Sequence, residues 1–335
     1  MKKLHIVYTP WTGVGVHGGY RGDSWFKHRI NIFRQYTLRS LANQSNKDFV
    51  LWFSFRPEEE RSVFVEDIKR AVERAGLKSI FTFNGLMYHD DKFTNYTLRS
   101  MVRNMLMMIW DAWKYKEYKS PAEIWRNAWE NKNETLPERL ASSIKVLRDT
   151  LGEDYDWVYM TRIDSDDMFH KDAIGLIQSQ VPDFRRSLVF DRGYIYNVKT
   201  GQVAEWNPPT NPPFHTITFP GAVFFNPQDH LDYYKDFRTH EDATRVFNPI
   251  VLDMNRYMVG VHGKHISTSW DSPLARRAYH AVKYRQKGYC YTTSGRNIST
   301  HWQSHTRHVK NIMIGREFHG EEKEAILDSF GVGNQ

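Results

Sequence analysis

The N-terminal part of the chain alternates between short apolar runs and helical patterns, which leaves few folds open to it. The apolar runs are LHIVYT (4–9), DFVLWFSF (48–55) and SIFTF (79–83). Apolar residues between the first two runs recur at the three-to-four spacing of one helix face: Phe26, Ile30, Phe33 and Leu41. This β-α-β-α-β order predicts an α/β fold with a mainly parallel sheet and helices on both faces.

Further elements follow from the same kinds of pattern. Residues 58–60 are all glutamate and suit the first turn of a helix after the second strand. Helical patterns over about 95–150 and 171–180 predict a helical insert and a shorter helix. Alternating residues flank a turn signal at 199–201, which predicts a hairpin. The apolar run 221–225 predicts another strand.

The net charge limits the chemical class of the binding partner, and the cysteine content indicates the redox compartment. The net charge is +7, with a sequence pI near 9.2, which favours an anionic partner: a nucleotide, a phosphorylated acceptor, a nucleic acid or an acidic lipid surface. Cys290 is the only cysteine, so an intramolecular disulfide is excluded and a reducing, cytoplasmic location is expected. Apolar stretches are too short for a transmembrane helix, although peripheral membrane contact stays open.

A glycine-rich motif, Gly13-Val-Gly15-Val-His-Gly18, follows the first apolar run and matches GxGxxG. In a dinucleotide-binding fold the helix begins inside this motif, and an acidic residue follows about twenty positions later. Here residues 20–24 separate the glycines from the helical pattern, and no acid stands at the required position. The motif therefore favours a flexible substrate loop over the nicotinamide site of a dehydrogenase.

Three carboxylates, Asp164, Asp166 and Asp167, end the apolar run WVYMTR (157–162). Carboxylates this close repel one another, so they need a nearby cation or full exposure to solvent. A hard divalent ion is a natural partner, and on an extended backbone Asp164 and Asp166 would project to the same side. The alternative is that Asp167 caps the helix that follows. Arg162 is expected to contact a phosphate or to pair with Asp164.

Three phrases in combination resemble a known family. They are RINIFRQYTLRSLANQS (29–45), DFVLWFSF and WVYMTRIDSDD. Together they are similar to the rhamnosyltransferase-like group of GT-A glycosyltransferases, over roughly residues 4–60 and 155–270. The resemblance implies a GT-A-type nucleotide-sugar-binding fold with a catalytic domain over 1–272. Two segments have no counterpart in this family: the insert at about 95–150 and a C-terminal extension over 273–335. The extension is expected to pack on the catalytic domain.

The resemblance also implies a reaction and a donor site. A hexose or deoxyhexose would move from a nucleotide-diphosphate sugar to a hydroxyl of a glycan or another acceptor. Mn²⁺ or Mg²⁺ would bridge the diphosphate to the protein. The implied metal ligands are Asp164, Asp166, Asp167 and His262, with His265 and His301 as competitors for the histidine position. The implied donor contacts are Tyr8, Thr9 and Pro10 near the base, and Arg162, Asp164 and Ser165.

A general base is implied by the pair Glu241-Asp242, which resembles the acidic pair of inverting GT-A enzymes. Asp242 is the first choice for deprotonating the acceptor hydroxyl and Glu241 the second. The alternative is that both acids stabilise the first turn of a helix.

Two other functions stay open. The basic charge and the aromatic and basic residues of the insert suit a DNA- or nucleobase-modifying sugar transferase. The acidic residues would also suit a non-catalytic carbohydrate- or nucleotide-binding module that holds a structural Ca²⁺.

Overall fold

The computed structural model describes residues 1–12, 23–86, 136–190, 192–198, 200–207, 215–234, 247–252, 257–261 and 313–333. The strands are β1 (Lys3–Pro10), β2 (Val50–Phe55), β3 (Ser79–Phe83), β4 (Trp157–Arg162), β5 (Met168–Phe169), β6 (Arg186–Val189), β7 (Gly193–Asn197), β8 (Gln202–Asn207), β9 (His215–Pro220), β10 (Asn248–Val251), β11 (Tyr257–Val261) and β12 (Met313–Phe318). The α-helices are α1 (Asp23–Ile32), α2 (Leu38–Ala42), α3 (Val63–Arg74), α4 (Leu136–Leu151), α5 (Ala173–Ser179), α6 (Gly221–Phe225), α7 (Pro227–Tyr234) and α8 (Gly320–Ser329).

A π-helical turn, Phe33–Thr37, joins α1 to α2 without a break in helical geometry. These three elements are called the N-terminal helical run. Among the helices of the described ranges, none combines the length and the hydropathy needed to cross a membrane.

The main sheet has seven strands in the order β10-β6-β9-β4-β1-β2-β3. Every neighbouring pair is parallel except the two pairs that β9 makes, with β4 and with β6. The prediction of an α/β fold with a mixed, mainly parallel sheet flanked by helices is therefore confirmed. The predicted first three strands, the strand before the acidic residues and the hairpin of β7 and β8 are confirmed as well.

Two hydrophobic clusters cover the two faces of this sheet. In β2, Leu51 and Phe53 belong to one cluster, whereas Val50 and Trp52 belong to the other. The first cluster receives side chains from the N-terminal helical run, α3 and α5, and the second from α4, α6 and α7. A strand that is buried on both faces carries apolar residues without interruption. This explains why these strands could be recognised from the sequence as continuous apolar runs.

Two predicted elements are wrong. Residues 221–225 form α6 instead of a strand, and their buried members Gly221, Phe224 and Phe225 have helical spacing. A short apolar run does not distinguish a strand from a helix by its periodicity. The acidic residues 58–60 do not begin a helix: Pro57–Glu59 form a separate 3-10 turn. Helix α3 begins only at Val63, after Ser62 accepts a hydrogen bond from the Phe64 amide at 3.2 Å.

A second sheet has five strands in the order β12-β8-β7-β11-β5. Strand β12 pairs with β8, and Leu327 and Phe330 from the C-terminal segment pack against Met168 of β5 in a third hydrophobic cluster. The Lys171 amide donates to the Ser329 carbonyl at 2.9 Å. The C-terminal segment thus contacts residues that follow the acidic residues. The domain boundary predicted at residue 272 lies outside the described residues and stays a prediction.

Two histidines lie fully buried in this framework. His5 Nε2 lies 2.7 Å from the Thr161 hydroxyl, and burial lowers the pKa of His5 to about 3. His230 Nδ1 donates to the Phe224 carbonyl at 2.9 Å, and burial lowers its pKa to about 4 although this hydrogen bond acts in the opposite direction. Both side chains are therefore neutral in the folded protein near neutral pH.

These histidines predict a loss of stability in mild acid. Between about pH 4 and pH 6.5 the unfolded chain binds protons on both side chains, whereas the folded chain does not. The free energy of unfolding should therefore rise with pH across this window, by about 1.4 kcal/mol per pH unit for each histidine. Urea unfolding of the wild type and of His230→Gln at several pH values would measure it. The variant should show the smaller slope, and equal slopes would contradict the prediction.

Candidate functional site at the carboxyl edge of the main sheet

The acidic residues lie where four parallel strands end together. The last residues of β1, β2, β3 and β4 are Pro10, Phe55, Phe83 and Arg162. The Ile163 amide donates to the Tyr8 carbonyl at 3.0 Å, so pairing with β1 continues one residue beyond β4. The next four residues, Asp164–Asp167, are called the acidic loop. Ligands of open α/β sheets bind outside this edge, so the acidic loop occupies a position suited to binding.

The backbone of the acidic loop forms a tight turn. The Asp167 amide donates to the Asp164 carbonyl at 3.2 Å. The extended backbone predicted here, with Asp164 and Asp166 on the same side, is therefore wrong. The alternative that Asp167 caps the next helix is wrong too, because β5 intervenes and α5 begins only at Ala173. Asp and Ser both favour turns, which accounts for this local structure.

Two arginines compensate part of the negative charge of the loop. Arg29 Nη1 of α1 lies 2.5 Å from Asp166 Oδ2, and the two side chains are only 13% and 4% exposed. Arg162 Nη2 donates to Asp164 Oδ1 at 3.0 Å, as one of the two alternatives for Arg162 predicts. Asp164 is the most accessible acid of the loop, with its side chain 33% exposed, whereas Ser165 and Asp167 are buried. A ligand can therefore reach Asp164 more readily than its neighbours.

The end of the N-terminal helical run, together with Gln44 two residues beyond it, also binds the segment that follows the loop. Gln44 Nε2 donates to the His170 carbonyl at 2.9 Å, and Gln44 Oε1 accepts from the Ile174 amide at 3.1 Å. The Ser40 hydroxyl accepts from the Phe169 amide at 3.3 Å. Ser40 and Gln44 are both buried, so these hydrogen bonds satisfy polar groups that water does not reach. Arg29 thus contacts the acidic loop itself, while Ser40 and Gln44 hold the residues that follow it.

Arg29, Ser40 and Gln44 are site residues to which the sequence patterns assigned no role. Ser40 lies in α2 and Gln44 follows two residues after that helix ends, and both side chains are buried. Buried polar side chains need hydrogen-bond partners. That requirement signals a role for them, but it does not identify the partner segment.

The predicted base-binding residues are largely enclosed. The Tyr8 hydroxyl donates to the Leu86 carbonyl at 2.6 Å, and its ring centroid lies 4.6 Å from that of Trp52. Tyr8 and Thr9 are buried, whereas Pro10 is partly exposed. In this conformation a nucleotide base can therefore reach Pro10 but not the side chains of Tyr8 and Thr9.

A buried carboxylate fixes the end of β1 beside this edge. Glu59 accepts hydrogen bonds from the Thr12 hydroxyl and from Arg56, whose Nη2 lies 3.2 Å from Glu59 Oε1. Burial raises the pKa of the Glu59 carboxyl, while Arg56 and the Thr12 hydrogen bond oppose that shift. Thr12 directly precedes the glycine-rich motif 13–18, which lies outside the described residues. Glu59 therefore anchors the chain at the entrance to that motif.

The remaining predicted site residues cannot be placed at this edge. His262, Glu241 and Asp242 lie outside the described residues, as do the competing histidines His265 and His301. Their roles in metal binding and proton transfer stay predictions.

Two of the predicted metal ligands, Asp164 and Asp166, contact arginines in the described part of the chain. Asp166 is committed to Arg29 and Asp164 to Arg162. Across the described ranges, no group of three or more His, Cys, Asp or Glu side chains is arranged to hold a metal ion. A cation at this edge would have to displace at least one of the two arginines or to use residues from the rest of the chain.

Comparison with known proteins adds no assignment: no family model matches the chain, and no curated protein matches it significantly. The resemblance to the rhamnosyltransferase-like group therefore depends on the three sequence phrases themselves.

Proposed function

We propose that this protein is a GT-A-type glycosyltransferase that moves a sugar from a nucleotide-diphosphate sugar to an acceptor hydroxyl, with inversion at the anomeric carbon. The proposal depends on one observation above all. Two of the phrases that resemble the family contact each other: Arg29 of the first phrase lies 2.5 Å from Asp166 of the third. Ser40 and Gln44 of the first phrase bind residues 169–174, which directly follow the third phrase. The mainly parallel sheet and the positive net charge are compatible with an anionic nucleotide donor.

The proposed chemistry assigns separate roles to the accessible residues of this edge. Asp164 would accept a hydrogen bond from a hydroxyl of the donor. The guanidinium of Arg162 would exchange part of its contact with Asp164 for the diphosphate, whose negative charge grows as it leaves. Both roles use groups that already lie together, with 3.0 Å between Arg162 Nη2 and Asp164 Oδ1.

The transfer itself exchanges one bond for another. The acceptor oxygen forms a bond to the anomeric carbon while the bond from that carbon to the phosphate oxygen breaks. The nucleoside diphosphate leaves with the bonding electrons, and the acceptor proton passes to a carboxylate. Asp242 is the proposed base and Glu241 the second choice. Mn²⁺ or Mg²⁺ is the proposed divalent cation, and the experiment below measures whether donor binding depends on Mn²⁺.

A thermal-shift screen of nucleotide sugars, with and without Mn²⁺, tests the proposal. A ligand that binds only the folded state stabilises it by about 2.7 kcal/mol at a concentration one hundred times Kd. We expect at least one nucleotide-diphosphate sugar to raise the unfolding midpoint and then to be turned over in the presence of an acceptor. If no nucleotide sugar raises the midpoint while NAD does, the dehydrogenase interpretation replaces this one.

A non-catalytic nucleotide- or carbohydrate-binding module is the second candidate. It is favoured by the surroundings of the three carboxylates: Asp164 and Asp166 each contact an arginine, and Asp167 is buried. The two candidates differ in turnover: a binding module would raise the midpoint with its ligand but release no nucleoside diphosphate over time.

A further inference from the structure

The contact between Arg29 and Asp166 differs in kind from the other ion pair of the acidic loop. Arg29 Nη1 lies 2.5 Å from Asp166 Oδ2, and both side chains are almost completely enclosed by protein. The pair of Arg162 and Asp164 is more accessible, because the Asp164 side chain is one-third exposed. Water weakens and exchanges exposed ion pairs, whereas breaking a buried pair leaves a charge uncompensated. The first pair is therefore the persistent one.

The backbone on either side of Asp166 restricts where its carboxylate can go. Upstream, the turn is closed by the hydrogen bond from the Asp167 amide to the Asp164 carbonyl. Downstream, Ser40 binds the Phe169 amide and Gln44 binds the His170 carbonyl. These contacts come from the loop itself, from the helical run that carries Arg29 and from Gln44, two residues beyond that run. Together they hold the backbone on both sides of Asp166 in place.

We infer that Arg29 takes the position of a divalent cation at Asp166: its guanidinium neutralises this carboxylate and so fixes the acidic loop, leaving Asp164 as the carboxylate that meets ligands. Arg29 is in this sense a positioning residue, and Asp166 its anchor. The inference deepens the proposed function and gives it a donor site in which Asp166 is not a metal ligand.

Mn²⁺ alone is a sufficient probe, because its binding can be followed by electron paramagnetic resonance without any nucleotide sugar. Asp166→Asn should leave the Mn²⁺ affinity of the full chain within about twofold of the wild type, because that carboxylate is already neutralised. Arg29→Gln should raise the affinity by about tenfold, because a positive charge in contact with a carboxylate is removed. The double variant Arg29→Gln/Asp166→Asn should lose that gain.

Arg29→Lys is the matched control, since it keeps the charge and should keep the Mn²⁺ affinity of the wild type. Thermal unfolding of each variant identifies any that fail to fold. If Arg29→Gln fails to fold, Asp166→Asn still tests the inference, because a strong loss of Mn²⁺ affinity in that variant overturns it. The inference is overturned if Asp166→Asn alone lowers Mn²⁺ affinity strongly, or if folded Arg29→Gln gains none. Because no sugar nucleotide is present, these outcomes are independent of whether the protein transfers a sugar.

Discussion

Replacing Asp164 by Asn should lower kcat/KM for the nucleotide sugar by about a hundredfold or more, the usual effect of removing one electrostatic group from an active site. Asp164 is the accessible carboxylate of the acidic loop and lies beside Arg162. The substitution keeps the size of the side chain but removes its charge and one hydrogen-bond acceptor. The measurement is release of nucleoside diphosphate at several donor concentrations, which separates kcat from KM.

The same variant should fold normally, because an ion pair with a partly exposed carboxylate contributes only about 0–1 kcal/mol. Asp154→Asn is the matched control: Asp154 is 99% exposed and contacts Lys2 at the surface. The control should keep wild-type activity. If Asp164→Asn were as active as this control, the acidic loop would not be part of the active site.

Asp166→Ala would be a less informative test of catalysis. It removes the carboxylate that Arg29 contacts in a buried environment, and breaking such a pair typically costs about 3–5 kcal/mol. Loss of activity in Asp166→Ala would therefore not distinguish a misfolded protein from a missing catalytic group.

Gly221→Ala should destabilise the protein by about 3 kcal/mol or more, at the upper end for an added methyl group in a packed site. Gly221 begins α6, and its amide donates to the Asp156 carbonyl at 2.9 Å. A Cβ atom at this position would lie 1.8 Å from the Tyr155 carbonyl oxygen and 2.8 Å from its carbon. Both are backbone atoms, so no side-chain rotation relieves the overlap. Urea unfolding followed by circular dichroism would measure the loss.

Gly175→Ala provides the comparison for Gly221→Ala. Gly175 also lies in a helix, α5, but the nearest atom to an added Cβ is Asn46 Cβ at an ordinary 3.8 Å. Alanine is favoured over glycine within helices by about 1 kcal/mol. Gly175→Ala should therefore be neutral or stabilising. Equal losses in the two variants would show that the close approach at Gly221 is not what matters.

The main sheet could be predicted because its strands carry their signal locally. Burial on both faces makes β1, β2 and β4 continuous apolar runs, and the hairpin of β7 and β8 has a glycine with φ of +73° at its turn, Gly201. The position of the acidic loop at the carboxyl edge follows directly from the parallel order. Residues 221–225 were misassigned because five apolar residues fit a short helix as well as a strand.

The geometry of the candidate site was not predictable in the same way. Asp166 and Arg29 are far apart in the sequence, and nothing local to either residue specifies the other. Three carboxylates in four residues suggested a metal, but the same residue types also favour a turn, and the turn with an arginine partner is what forms. Periodicity reports which face of an element is buried. It does not report which buried polar group on that face meets which distant segment.

The hydrogen bond from the Lys171 amide to the Ser329 carbonyl bears on the order in which the protein is completed during translation. The ribosome synthesises β1 to β4 first, and these strands can pair with one another as they emerge. Strand β5 receives Phe330 as a packing partner only once the chain has been synthesised beyond that residue. The stretch immediately after the acidic loop is therefore among the last parts of the nascent chain to gain its full set of contacts.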